Sequence, residues 1–99
     1  MKEMISNYAV YKNRPLVREG NIICYGKPTD PAILILTVLT TKKVGNVEVS
    51  DQIFVQLQTT ASHKDDVTVL KQTEKNGLYE ALDIGTIWLD RELKKSIAQ

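Results

Sequence analysis

One histidine, one cysteine and four serines are the first side chains in which to seek nucleophilic or metal-binding chemistry in this 99-residue chain. His63 stands in Thr60-Ala61-Ser62-His63-Lys64-Asp65-Asp66, and an imidazole beside two carboxylates could ligate a divalent cation. So many short polar side chains in a row are better read as a solvated turn, where Asp and Ser bond their own backbone. With no second histidine and no cysteine nearby, a structural zinc site is not expected. Ser6, Ser50, Ser62 and Ser96 lie outside any Gly-flanked elbow. Cys24 follows Ile22 and Ile23 in an apolar run, which predicts a small buried hydrophobe with an unreactive thiol. The five glycines are dispersed and form neither a P-loop nor a dinucleotide fingerprint. Asp65 and Asp66 are adjacent in the turn, while Asp83, Asp90 and Glu92 read as a solvated helix face. Neither set makes the paired acids of a cleft. The expectation is a chain without catalytic residues, metal or cofactor.

A second constellation points to binding. Tyr8, Tyr11 and Tyr25 accompany Lys12, Arg14, Arg18 and Lys27 in the first 27 residues. Rings that stack bases beside cations that meet phosphates are the apparatus of small β-barrels on single-stranded nucleic acid. Two observations weaken this. Tyr8 and Tyr11 are an odd number of residues apart, so in a strand they point to opposite faces. The formal net charge is only +1 and the sequence pI 7.8, below the value of about 9 common in nucleic-acid-binding domains. A face of Tyr11, Lys12, Arg14, Arg18, Tyr25 and Lys27 is therefore kept as the alternative to the leading reading below.

The elements that must position these residues follow from composition and turns. At 42% hydrophobic and 25% charged, the chain has the makeup of one globular domain spanning residues 1–99. Val, Ile and Thr number nine each, and 23 of these 27 precede Glu74, where Leu, Ala, Glu and Lys take over. β-Branched side chains suit a pleated surface, so the order is strands over 7–73 and then helix over 77–97. The predicted class is α+β: a small antiparallel sandwich or open barrel of six to seven strands with a C-terminal helix packed on it. Leu78, Ala81, Leu82, Gly85, Trp88, Leu89 and Leu93 share one side of the helical wheel. Asn76 is the expected N-cap. Gly85 costs helix about 1 kcal/mol relative to Ala, and Ile87 falls on the polar side. Together they predict a break near Asp83, with a turn over 77–82 and a helix over 84–96.

Two Gly-Asn dipeptides, Gly20-Asn21 and Gly45-Asn46, sit between β-rich runs and predict tight hairpins, because Gly accepts the positive φ of such turns. A tight turn fixes register. Val17 then faces Cys24 and Leu16 faces Tyr25. Leu34 faces Leu57, Leu36 faces Val55 and Val38 faces Ile53, an apolar ladder on one side. The other side pairs Ile35 with Gln56, Thr37 with Phe54 and Leu39 with Gln52. Residues 13–15 are expected to turn, and Val67 to Thr73 to form a last strand.

Strand 33–41 is thus apolar on both faces, and one short helix can cover only one of them. The surplus face, Ile33, Ile35, Leu39, Phe54 and Gln56, mixes apolar with uncharged polar side chains as an interface does. The leading expectation is a non-catalytic interaction or assembly module that forms a homo-oligomer, a two-fold dimer by default. A barrel mouth would offer a third role, binding an unspecified small molecule. The lone cysteine, the polar start of the chain and the absence of about 18 consecutive apolar residues set the expected location as cytoplasmic, without membrane association.

Overall fold

The computed structural model describes residues 8–27, 29–60 and 67–98. The segment holding His63, Asp65 and Asp66 lies outside the described residues. Among the described residues, eight strands precede one helix: β1 (Tyr8–Tyr11), β2 (Arg14–Glu19), β3 (Ile22–Tyr25), β4 (Ala32–Val38), β5 (Thr41–Val44), β6 (Val47–Ser50), β7 (Gln52–Thr59), β8 (Val69–Asn76) and α1 (Leu78–Ala98). Six of the strands form one antiparallel sheet in the order β1-β2-β3-β4-β7-β8, and β5 pairs with β6 in a small sheet of their own. The fold is α+β as expected. No barrel closes; the layer that covers the sheet is the helix.

Both Gly-Asn turns form with Gly20 and Gly45 at positive φ, and both registers are those the turns dictate. Leu16 pairs with Tyr25, and Val17 with Cys24. Leu34, Leu36 and Val38 pair with Leu57, Val55 and Ile53. The second hairpin keeps its register from Ala32–Thr59 to Val44–Val47, although its far end separates from the main sheet as β5 and β6. The irregularity falls between Leu57 and Gln58, opposite β8, instead of near Ser50. The first turn is also displaced from expectation: Lys12 and Asn13, both at positive φ, make it, and Arg14-Pro15 already belong to β2. The last strand starts two residues later than predicted, at Val69, and runs on to Asn76.

Period two puts Leu16, Ile23, Tyr25, Leu34, Leu36, Ile53, Val55 and Leu57 on one face, all buried. Leu78, Ala81, Leu82 and Leu89 of α1 close over them. Trp88 and Leu93 pack at the margin, partly buried. The predicted break at Asp83 does not occur, and α1 runs unbroken for 21 residues. Gly85 is what allows this: a Cβ there would overlap Leu34, coming within 3.0 Å of its Cδ1 and 3.1 Å of its Cγ. The residue that looks like a helix breaker is the point of closest approach between helix and sheet. Asn76 is not the cap either; it ends β8. Gly77, at φ 89°, makes the corner, donating its N–H to the Asp51 carbonyl at 2.6 Å and accepting from Ala81 N.

Candidate functional site

The helix takes the even-numbered face of β4, so the odd-numbered face is left open. Register extends that open face across all six strands. One row runs Val17, Cys24, Ile35, Gln56, Gln72; a second runs Glu19, Ile22, Thr37, Phe54, Glu74; a third holds Val10, Pro15, Ile33, Gln58 and Val69. No described element covers these rows. Val10 is 65% exposed, Ile22 43% and Val69 45%, a high level for aliphatic side chains on regular strands. Ile33, Ile35, Phe54 and Gln56 are each half-buried by their own neighbours. Of the five residues expected on a self-association face, these four lie together on it. Leu39 lies just past the end of β4, 51% exposed, with its N–H donated to Gln52 O at 2.8 Å.

Sequence reasoning missed Val10, Val17, Ile22 and Val69 as members of this face. The signal for Val17 was present, since its pairing with Cys24 follows from the Gly20-Asn21 turn. What the turns do not reveal is that β3 and β4, joined by the loop over 26–31, are neighbours in the sheet.

Cys24 belongs to this face as well, and not to the core as its neighbours suggested. It alternates with Ile23 and Tyr25, which point under the helix, so its thiol points away from it. It is half-buried. Burial, with a smaller contribution from the Glu19 carboxylate, pushes the thiol pKa above its ordinary value.

The tyrosine and cation constellation is placed differently. Tyr25 is wholly buried beneath α1, and its hydroxyl donates to the Tyr11 carbonyl at 2.6 Å. Burial raises the Tyr25 pKa against the pull of the adjacent Arg14 guanidinium, so the phenol stays neutral and able to donate. The Tyr11 ring stands edge-on to that of Tyr25 with centroids 5.8 Å apart, and Lys12 Nζ lies 5.4 Å from the Tyr11 centroid. Arg14 Nη1 donates to Asp90 Oδ1 of α1 at 2.7 Å. Arg18 Nε donates to the Gly20 carbonyl at 3.0 Å, and Lys27 is exposed in the loop after β3. Tyr11, Arg14 and Tyr25 therefore meet, in a cluster that ties the first hairpin to the helix. Asp90, expected on a solvated helix face, is the partner that completes it.

Among the described residues no three His, Cys, Asp or Glu side chains gather closely enough to hold a metal ion. No helix among them is long and apolar enough to cross a membrane. No protein-family model matches the chain, and no curated protein or solved structure matches it, so its function has to be read from its own two-sided sheet.

Proposed function

We propose that this chain is a non-catalytic assembly module of the cytoplasm that self-associates through the open face of its sheet. The observation that carries the reading is one continuous face of Val10, Val17, Ile22, Ile33, Ile35 and Phe54, opposite a face already covered by the helix. Exposed apolar surface of this extent marks an interaction site. Strands spaced about 4.8 Å apart and about 20 Å long give a six-stranded face a footprint of roughly 500 Å² in plan, and side-chain relief enlarges its accessible area. That approaches the roughly 800 Å² per partner of a standard stable interface. A second copy supplies a surface of the same size and polarity, and two sheets stacked face to face make an ordinary sandwich core.

The sheet edges are poor alternatives. β1 has four residues, and β8 turns Lys71 and Lys75 toward the helix side while a bulge interrupts its pairing with β7. Short edges, inward charges and bulges all oppose edge-to-edge pairing. The alternative of single-stranded nucleic-acid binding has less support, since stacking needs free ring faces and Tyr25 is buried.

Light scattering at micromolar concentration tests the proposal. The expected mass is twice the 11.2 kDa of one chain, and Ile35→Lys is expected to return it to one chain while the helical signal and unfolding transition persist. A wild-type mass near that of one chain sinks the reading. Cys24 gives an independent readout: maleimide labelling is expected to be slow at high protein concentration and to quicken on dilution, as the face is uncovered. Labelling whose rate ignores concentration across the dissociation range counts against it.

A further inference from the structure

The open face is not uniform. Its β1–β4 half is mainly aliphatic, with Val10, Val17, Ile22, Ile33 and Ile35 beside Glu19, Cys24 and Thr37. Its β7–β8 half carries carboxamides, Gln52, Gln56, Gln58 and Gln72, with Gln56 Nε2 donating to Gln72 Oε1 at 3.4 Å. Building on the self-association proposed above, we infer that the two copies stack with their two-fold axis running across the strands, over the row Val17, Cys24, Ile35, Gln56, Gln72. Each residue of that row then lies opposite its own copy.

Two sheets stacked with their strands aligned and related by a two-fold rotation have their axis in the plane between them, running either along the strands or across them. An axis along the strands at the centre of this sheet, between β3 and β4, lays β2 over β7 and β1 over β8. Val17 would then cover Gln56, and the carboxamides would be desolvated against aliphatic side chains. Each amide so stranded costs about 1–3 kcal/mol. An axis across the strands lays every strand over its own copy. In the axial row aliphatic side chains meet aliphatic ones, and Gln56 and Gln72, each both donor and acceptor, can bond their counterparts. Charge selects which row carries this axis. Glu19 and Glu74 both lie in the row of Ile22 and Phe54. With the axis over the neighbouring row, that row swings onto the one holding Pro15, Ile33, Gln58 and Val69, so no carboxylate is set against a carboxylate. The axial row is also the middle one, passing through Ile35 at the centre of β4.

The polar end of the row provides the test. In a Cys24→Ser/Gln72→Cys double variant the only thiol sits on β8, at an exposed position of the edge strand. With the axis across the strands, two such thiols face each other across sheets about 10 Å apart. With the axis along the strands they lie at opposite edges, separated laterally by five strand spacings, about 24 Å. A bis-maleimide with a short flexible spacer is added to the dilute variant, and covalent dimer is read on a denaturing gel beside the native mass. A Cys24→Ser/Tyr79→Cys variant, with its thiol on the outer side of α1, serves as the collision control. Expected are a doubled native mass and cross-linking at position 72 on the order of a hundredfold faster than at 79, since facing thiols experience millimolar effective concentration. A doubled mass with cross-linking at 72 no faster than at 79 overturns the axis and leaves self-association standing. A single-chain mass overturns both.

Discussion

A chain shortened to end at Asp83 should show no cooperative unfolding transition and should aggregate or stay unfolded, as circular dichroism against temperature and denaturant would record. The cut removes residues 84–99, and with them Leu89, whose side chain is wholly buried over the sheet. Truncating such a residue to Ala alone costs about 2–5 kcal/mol. Ile84, Trp88 and Leu93, packed partly buried around the same core, are lost too. Trp88 is the smaller contributor for its size: it sits at the margin, with Lys71 Nζ 5.7 Å from its ring centroid, so one flank remains open. The shortened chain also uncovers Leu34 and its neighbours on the sheet. A 99-residue domain has about 5–15 kcal/mol of net stability, and losses of this sum exceed it. The Arg14–Asp90 ion pair disappears in the same cut, but Asp90 is half-exposed and such a pair contributes little. A soluble, monomeric and cooperatively unfolding fragment would show that the sheet does not need the helix.

How much of this arrangement can be read from the chain depends on whether the determining interaction is local. Gly20-Asn21 and Gly45-Asn46 are local, since each turn needs a positive φ that Gly supplies without strain, and each fixes register for the strands beside it. The alternation of Leu34, Leu36 and Val38 with Ile33 and Ile35 is local too, and it announces a strand with two faces to cover. Which face the helix chooses is not local, and neither is the adjacency of β3 and β4. Arg14 and Asp90 are 76 residues apart, and nothing near either one signals the other. Cys24 was misplaced for a related reason: its neighbours Ile22 and Ile23 are apolar, but alternation sends Ile23 into the core and Ile22 with Cys24 outward. The candidate face is therefore legible in part, through Ile33, Ile35, Phe54 and Gln56, and its extension over β1, β2 and β8 required the sheet order.

Gly85→Ala should destabilise the protein, against the usual sign for a glycine inside a helix. In an exposed helix the change stabilises by about 1 kcal/mol, because Ala restricts the unfolded chain and Gly does not. Here the new methyl group would enter space held by Leu34, with Cδ2 the nearest atom and Cδ1 and Cγ at 3.0 and 3.1 Å. Leu34 cannot swing aside freely: it is wholly buried, paired with Tyr25 on one side and Leu57 on the other. The helix must lift or Leu34 must leave its rotamer, and overpacking of this kind costs about 1–3 kcal/mol. The net effect expected from denaturant unfolding is a loss of stability despite the better helix former. Leu34→Ala supplies the decisive comparison. By itself it should cost about 2–5 kcal/mol through the cavity it leaves. In that background the Gly85→Ala methyl has room, and its addition should turn from destabilising to stabilising. A Gly85→Ala effect that keeps the same sign in both backgrounds would locate the cost elsewhere than the contact with Leu34. A reversal of sign would identify the glycine as the residue that lets an unbroken helix lie close against the sheet, leaving the opposite face as the one still to be covered.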